Sequence, residues 1–135
     1  MYWRLGLAIL LCGSPAAAVE LRAVTVKSGT DGLVGVPLTI TNAGTSALAC
    51  TAELAHWYSA TVAPVPPGVA ARVDLWFEPR TGTYILLNGK RDNMPVAALW
   101  CGIEGRAYET RAVIALEPEA RATACAPVAG RMVCT

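Results

Sequence analysis

The chain has 135 residues, with 11 basic and 10 acidic side chains, five cysteines and one histidine, and a formal net charge of +1. That balance supplies no electrostatic footprint for nucleic acid or an anionic membrane surface. With one imidazole in the chain, any Ser-His-Asp or Cys-His arrangement would have to be built on His56.

The N-terminus reads as a secretory signal peptide over residues 1–18. Arg4 supplies a positive charge, Leu5 to Leu11 form a short apolar core, and Ala16 and Ala18 are the small residues a signal peptidase accepts. The apolar run is too short to span a bilayer as a helix, so no transmembrane segment is expected after cleavage. A lipidated Cys12 is the rival reading; Leu11 stands directly before it, where a lipoprotein signal wants a small residue. Cleavage after Ala18 leaves 135 − 18 = 117 residues, and the mature chain, without Arg4, carries 11 − 1 = 10 basic and 10 acidic groups. A chain of that length folds as one domain burying roughly two-thirds of its unfolded surface. The expected division is a signal peptide at 1–18, a folded domain at 19–117 and a C-terminal tail at 118–135.

The mature chain alternates in strand fashion nearly throughout. Glu20 to Lys27 reads as a first strand and Gly35 to Thr41 as a second, with Val36, Leu38 and Ile40 on one face and Pro37 marking an edge position. Asn42-Ala-Gly44 supplies turn chemistry, its Asn and Gly tolerating positive φ. Leu48, Cys50, Ala52 and Leu54 alternate with polar Thr51 and Glu53, which puts Cys50 on a buried face. Ala60 to Gly68, with Pro64, Pro66 and Pro67, reads as a stiff connection. Val69 to Glu78 alternates most cleanly: Val69, Ala71, Val73, Leu75 and Phe77 face the core, while Arg72, Asp74, Trp76 and Glu78 face water. Thr83 to Asn88, Val96 to Ile103 and Tyr108 to Leu116 complete about seven strands, with a charged loop Lys90-Arg91-Asp92 after Asn88-Gly89. No stretch has a convincing helical period, so the chain is expected to be all-β, an antiparallel sandwich. The tail from Glu117 is expected on the surface, partly mobile and tied down only by its own bridge.

After cleavage the cysteines are Cys50, Cys101, Cys125 and Cys134, an even number in an exported chain, which points to two disulfides. Three pairings are possible. Cys50 with Cys101 and Cys125 with Cys134 is preferred, because the first pair lies in two core strands and the second closes a short loop. For separations of 101 − 50 = 51 and 134 − 125 = 9 residues, loop-closure arithmetic gives about 4 and about 2.6 kcal/mol, so the first bridge matters more.

The run from Val36 to Leu48, with Asn42-Ala-Gly44 at its centre, resembles the strand-turn-strand of bacterial immunoglobulin-like domains of the cell-adhesion-related type. The resemblance covers about thirteen residues of the chain. It implies a seven-stranded immunoglobulin-like β-sandwich acting as a binding or spacer module without catalysis. The chain departs from the antibody-type pattern, since Trp76 follows Cys50 by 76 − 50 = 26 residues and no tyrosine-corner spacing precedes Cys101. With strands lettered in order, Cys50 falls on C and Cys101 on F, neighbours in one sheet, which is a different bridge from the usual one between B and F.

No catalytic constellation emerges. Ser59 lies three residues from His56, on the opposite face of an extended strand. His56 is better read as packing on Trp57 or Tyr58 at a strand end. Ligand spacing for a metal is missing, as are phosphate-binding glycine loops, and Gly102-Ile-Glu-Gly105 reads as a turn. No cofactor or metal is expected. The aromatics are more informative, because strand parity sends Trp57 and Trp76 outward, and an exposed tryptophan is a common interface anchor or sugar platform. The competing reading is that the tail or the proline-rich connection covers them. Trp100 and Tyr84 are assigned to packing near the Cys50–Cys101 bridge. The candidate binding residues are Trp57, Trp76, Arg72, Asp74, Lys90, Arg91 and Asp92. The function expected is an exported, periplasmic or secreted accessory subunit that binds another envelope protein. The alternatives are a glycan-binding module using Trp57 and Trp76, and a small envelope hydrolase with loop-borne carboxylates.

Overall fold

The computed structural model describes residues 25–135. The expected signal peptide and most of the strand expected at Glu20–Lys27 lie outside the described residues. Within them the chain is all-β apart from one 3-10 turn and one helical turn. The strands are β1 (Val34–Gly35), β2 (Leu38–Asn42), β3 (Leu48–Leu54), β4 (Ser59–Val65), β5 (Ala70–Val73), β6 (Trp76–Glu78), β7 (Thr83–Leu87), β8 (Asn93–Ile103), β9 (Ala112–Val113), β10 (Ala122–Val128) and β11 (Arg131–Cys134). The 3-10 turn η1 (Ala55–Trp57) follows β3, and the helical turn α1 (Ala107–Thr110) precedes β9. These eleven short segments stand where seven longer strands were expected.

Two sheets share one core. The larger runs β1-β6-β7-β8-β3-β4, with β9 beside β8, and the smaller runs β11-β10-β2-β5. Every ladder is antiparallel except β2 with β10. Between them lie fully buried Ile40, Leu48, Leu99 and Val65 together with Cys50, Cys101 and Cys125. Both disulfides are the preferred ones, and each joins directly opposed residues on neighbouring strands of one sheet. Cys50 faces Cys101 with the Cα atoms 4.0 Å apart, and Cys125 faces Cys134 at 4.1 Å.

The two cleanest alternating stretches of the sequence are each divided between the sheets. β1 pairs with β6 through Val34↔Phe77 and Gly35↔Trp76, and β2 pairs with β5 from Leu38↔Val73 to Thr41↔Ala70. The register continues from one ladder to the next without a slip, joined by Val36 N–H donating to Leu75 O at 2.9 Å. Residues 34–42 and 70–78 are therefore one two-stranded ribbon that leaves one sheet and enters the other. Its elbow lies at Pro37 and Asp74. Pro37 has no N–H to give the ladder, and opposite it the chain tightens around Asp74, where Leu75 N–H donates to Val73 O at 3.0 Å. Such bends are how strands change sheets at the corners of a sandwich.

Five expectations are corrected. Ala60 to Gly68 is mostly the edge strand β4, not a connection. It pairs only with β3, where a proline costs the sheet little, and the slip between Cys50 and Thr51 leaves Val62 as an extra residue that hides the alternation. Tyr108 to Leu116 is not a strand but α1 followed by two-residue β9. Thr110 Oγ1 accepts Ile103 N–H at 2.9 Å and donates to Arg106 O at 2.8 Å, and this fastens the helical turn to β8. The expected surface tail supplies β10 and β11, with Cys125 and Met132 buried. Finally, Asn42 and Gly44 do not adopt positive φ. Gly44 is small because Pro127 of β10 is close: a Cβ there would sit 2.7 Å from Pro127 Cδ. Gly102, likewise, lies in β8 rather than in a turn, and a Cβ on it would meet the backbone of Ala107.

Candidate functional site

Strand parity survives the elbow. Val73 and Leu75 are buried, Phe77 packs against the core, Arg72 and Asp74 are exposed, and Trp76 is half-buried. Because the ribbon bends there, these outward side chains line the hollow of the corner. It is a groove of about 390 Å³ lined by Trp76, Arg72 and Asp74 together with Pro37, Leu87 and Arg91. Trp76 rests its benzo ring over Gly35 of β1, where a Cβ would stand 3.6 Å from Cζ3, an ordinary van der Waals contact. Among the described residues, none of the tail or the proline-rich segment lines the groove. Arg72 Nε donates to Asp74 Oδ1 at 2.7 Å, but both side chains are more than two-thirds exposed, so the pair contributes at most about 1 kcal/mol.

Arg91 comes from the loop after β7, which is fastened by Asn88. The Oδ1 of Asn88 accepts the backbone N–H groups of Lys90 and Asp92, each at 2.9 Å, and its Nδ2 donates to Asp92 Oδ2 at 3.1 Å. Arg91 N–H donates to Asn88 O at 2.8 Å, and Arg91 O accepts Gly29 N–H at 2.9 Å. Held on both sides, Arg91 adopts φ 63°, a left-handed conformation uncommon for a side chain of its size. Asn93 Nδ2 donates to Gly29 O at 2.8 Å, which fixes the loop base to the N-terminal segment.

The structure thus brings Trp76, Arg72, Asp74 and Arg91 around one groove, with Lys90 and Asp92 in the adjoining loop. The Trp57 side chain, expected beside it, lies outside what the structure describes; His56 and Tyr58, its neighbours in sequence, border a second hollow of about 400 Å³. His56, Tyr58 and Val26 line it, and Ile85, Met94 and Pro95 contribute apolar wall. His56 also has positive φ, at 63°, and is exposed. Lys27 crosses to Glu78 at that hollow with Nζ–Oε1 3.0 Å. The Lys27 ammonium, followed by the Thr81 hydroxyl, holds the Glu78 carboxyl below its ordinary value. Among the described residues no group of three His, Cys, Asp or Glu side chains could hold a metal ion, and no helix is long and apolar enough to cross a membrane.

No family model, curated protein or solved structure matches this chain. What the groove can do therefore has to be read from its own chemistry. An indole, two guanidiniums and aliphatic walls on a disulfide-tied scaffold can bind, and no nucleophile with a base beside it is present in the groove.

Two features escaped the sequence reading. The groove depends on Gly35, Pro37 and Leu87, residues that alternation counts only as strand positions; the proline was the one visible sign of an interruption. Trp100 does not pack on the bridge. It is next to Cys101 in the strand and so points to the other face, where it is 8% exposed. Its Nε1 donates to Glu53 Oε1 at 3.0 Å, and Tyr108 of α1 covers it edge-on at 6.1 Å between ring centroids. Tyr84 packs instead on Phe77, ring centroids 5.2 Å apart, and burial followed by the charges of Glu117 and Glu119 pushes its hydroxyl above the ordinary tyrosine value.

Proposed function

We propose that this chain is an exported, non-catalytic binding module of immunoglobulin-like build, an accessory or assembly subunit that contacts another protein of the cell envelope through the groove at the ribbon elbow. The observation that carries the reading is Trp76, a large aromatic half-buried against Gly35 in a hollow bordered by guanidiniums. A ring immobilised on one side and open on the other is the form taken by interface anchors, since little side-chain entropy remains to be lost on binding. Two disulfides support an oxidising, extracytoplasmic location.

The test is capture of partners from envelope extract by the tagged full chain and by Trp76→Ala. The reading expects a stoichiometric protein partner whose affinity falls by about 2 kcal/mol or more in the variant, while the thermal unfolding curve stays cooperative. Retention on a polysaccharide matrix, lost on the same substitution and with no protein partner, would replace it with a glycan-binding function. Equal capture by wild type and variant would remove the groove from the function.

A further inference from the structure

The polar side chains that line the groove carry more hydrogen-bond donors than acceptors, beside apolar wall from Pro37, Leu75 and Leu87. Arg91 lines it and, like Lys90 beside it, meets no carboxylate within ion-pair distance among the described residues. Arg72 spends its Nε on Asp74, and its two terminal nitrogens make no hydrogen bond among the described residues. The indole N–H of Trp76, unlike that of Trp100, makes no hydrogen bond within the described residues. The one carboxylate in the lining, Asp74, already accepts from Arg72. Walls of this kind favour an oxyanion with two acceptor atoms in a plane, which is what a guanidinium fork receives best. The backbone at Arg91 agrees. Asn88 and Gly29 hold that residue in a left-handed conformation between them, and backbone strain imposed by several partners at once is characteristic of ligand-contacting positions.

The strand edge beside the groove decides what carries the oxyanion. Among the described residues β1 is the terminal strand of its sheet and pairs only with β6. Val36 N–H turns inward to Leu75 O, so by the alternation of a strand the N–H and C=O of Gly35 turn outward, to the open side. A main-chain donor and acceptor sit there, next to Trp76. An extended polypeptide uses such an edge by adding a strand, with its side chains entering the neighbouring hollow at every second position; a sugar has no backbone to match it.

We propose, resting on the binding function above, that the groove's occupant is an extended acidic segment of the partner protein. It lies along the open edge at Gly35, sets an apolar side chain against Trp76 and gives an Asp or Glu carboxylate to Arg91 and Arg72.

Selection of a displayed library of random eight-residue peptides on the full chain tests this, with Trp76→Ala, Arg91→Asn and Arg91→Lys selected in parallel. Asparagine is chosen at position 91 because it tolerates positive φ; a thermal melt of each variant confirms that it is folded. The expected result is enrichment of peptides with Asp or Glu near an aromatic or aliphatic residue. Their affinity should fall at least tenfold in Arg91→Asn, fall less in Arg91→Lys, and weaken as salt is raised from low to physiological strength. Peptides that lose affinity in Trp76→Ala but carry no acidic preference, or that bind Arg91→Asn as tightly as wild type, would overturn the acidic segment and leave the binding function standing. Tighter binding of polygalacturonate than of any selected peptide, abolished by the same substitutions, would overturn the peptide in favour of an acidic glycan. If the selection enriches no peptide and neither position 76 nor 91 affects capture of envelope proteins, the underlying function falls with it.

Discussion

Asn42 shows at the scale of one residue how this chain joins its two sheets. It ends β2 in the smaller sheet and is fully buried, yet its Nδ2 donates to Val65 O on β4 of the larger sheet and to Ser46 O, both at 2.8 Å, while its Oδ1 accepts Gly44 N–H at 3.0 Å. Asn42→Ala would leave Val65 O without this partner in the interior and remove the bonds to Ser46 O and Gly44 N–H at its margin. We expect it to lower unfolding free energy by about 2 to 4 kcal/mol in urea titration. Asn42→Asp should not restore the loss, because the carboxylate lacks the two donors. The sequence marked this residue as part of a turn, and that much was legible from its type. Its partner Val65 was not, because a hydrogen bond across 23 positions leaves no local pattern. Glu78 offers a second test, through its ion pair with Lys27. Its carboxyl is held below the ordinary 4.5, so the pair supports the fold above that value and the support is lost as pH falls through the lowered one. The stability difference between wild type and Glu78→Gln should therefore be present at neutral pH and vanish on acidification; a difference that persists in acid would separate the role of Glu78 from its charge.

Among the elements, α1 depends on a single missing side chain. Gly102 lies in β8 directly beneath Ala107, and a Cβ on it would fall 1.9 Å from Ala107 O. Backbone cannot yield to that as a flexible side-chain end would, so Gly102→Ala should lift α1 from the sheet. Tyr108 would then leave Trp100, and the near-ultraviolet circular dichroism of that tryptophan should collapse together with a lower melting temperature. Retention of both would show that α1 can shift as a unit. The legibility of the elements follows the size of their side chains. Where branched residues alternate, as in Val36-Leu38-Ile40 and Val73-Leu75-Phe77, inward and outward faces were read correctly. β10 was missed because Ala122-Thr-Ala-Cys-Ala-Pro-Val128 has almost no contrast between its two faces, and its pairing with β2 is parallel and distant in sequence. The elbow was missed for another reason. Pro37 and Asp74 act as opposed residues across the ribbon, and each taken alone looks like an ordinary edge signal, so the groove they create could be named by its tryptophan and arginines but not located.

For the molecule as a whole, the disulfides act within the sheets, one in each, rather than between them. Removing the Cys50–Cys101 bridge by paired alanines should cost about 4 kcal/mol, and removing Cys125–Cys134 about 2.6 kcal/mol, from loop lengths alone; calorimetry of the two variants checks the order. Equal losses would mean that the small sheet, with β10 and β11 integrated into it, depends on its bridge more than chain length predicts. What joins the sheets to each other is the ribbon. Because the same two strands form an edge of both, neither layer can swing away without breaking the ladder that also completes the other, and the hinge available to most layered proteins is missing at this corner. Opening is then all-or-none across it. A partner seated in the elbow would clasp both layers at once, so its binding energy would add to the protection of amides on each face of the core, including those of β3 and β10 that it never touches.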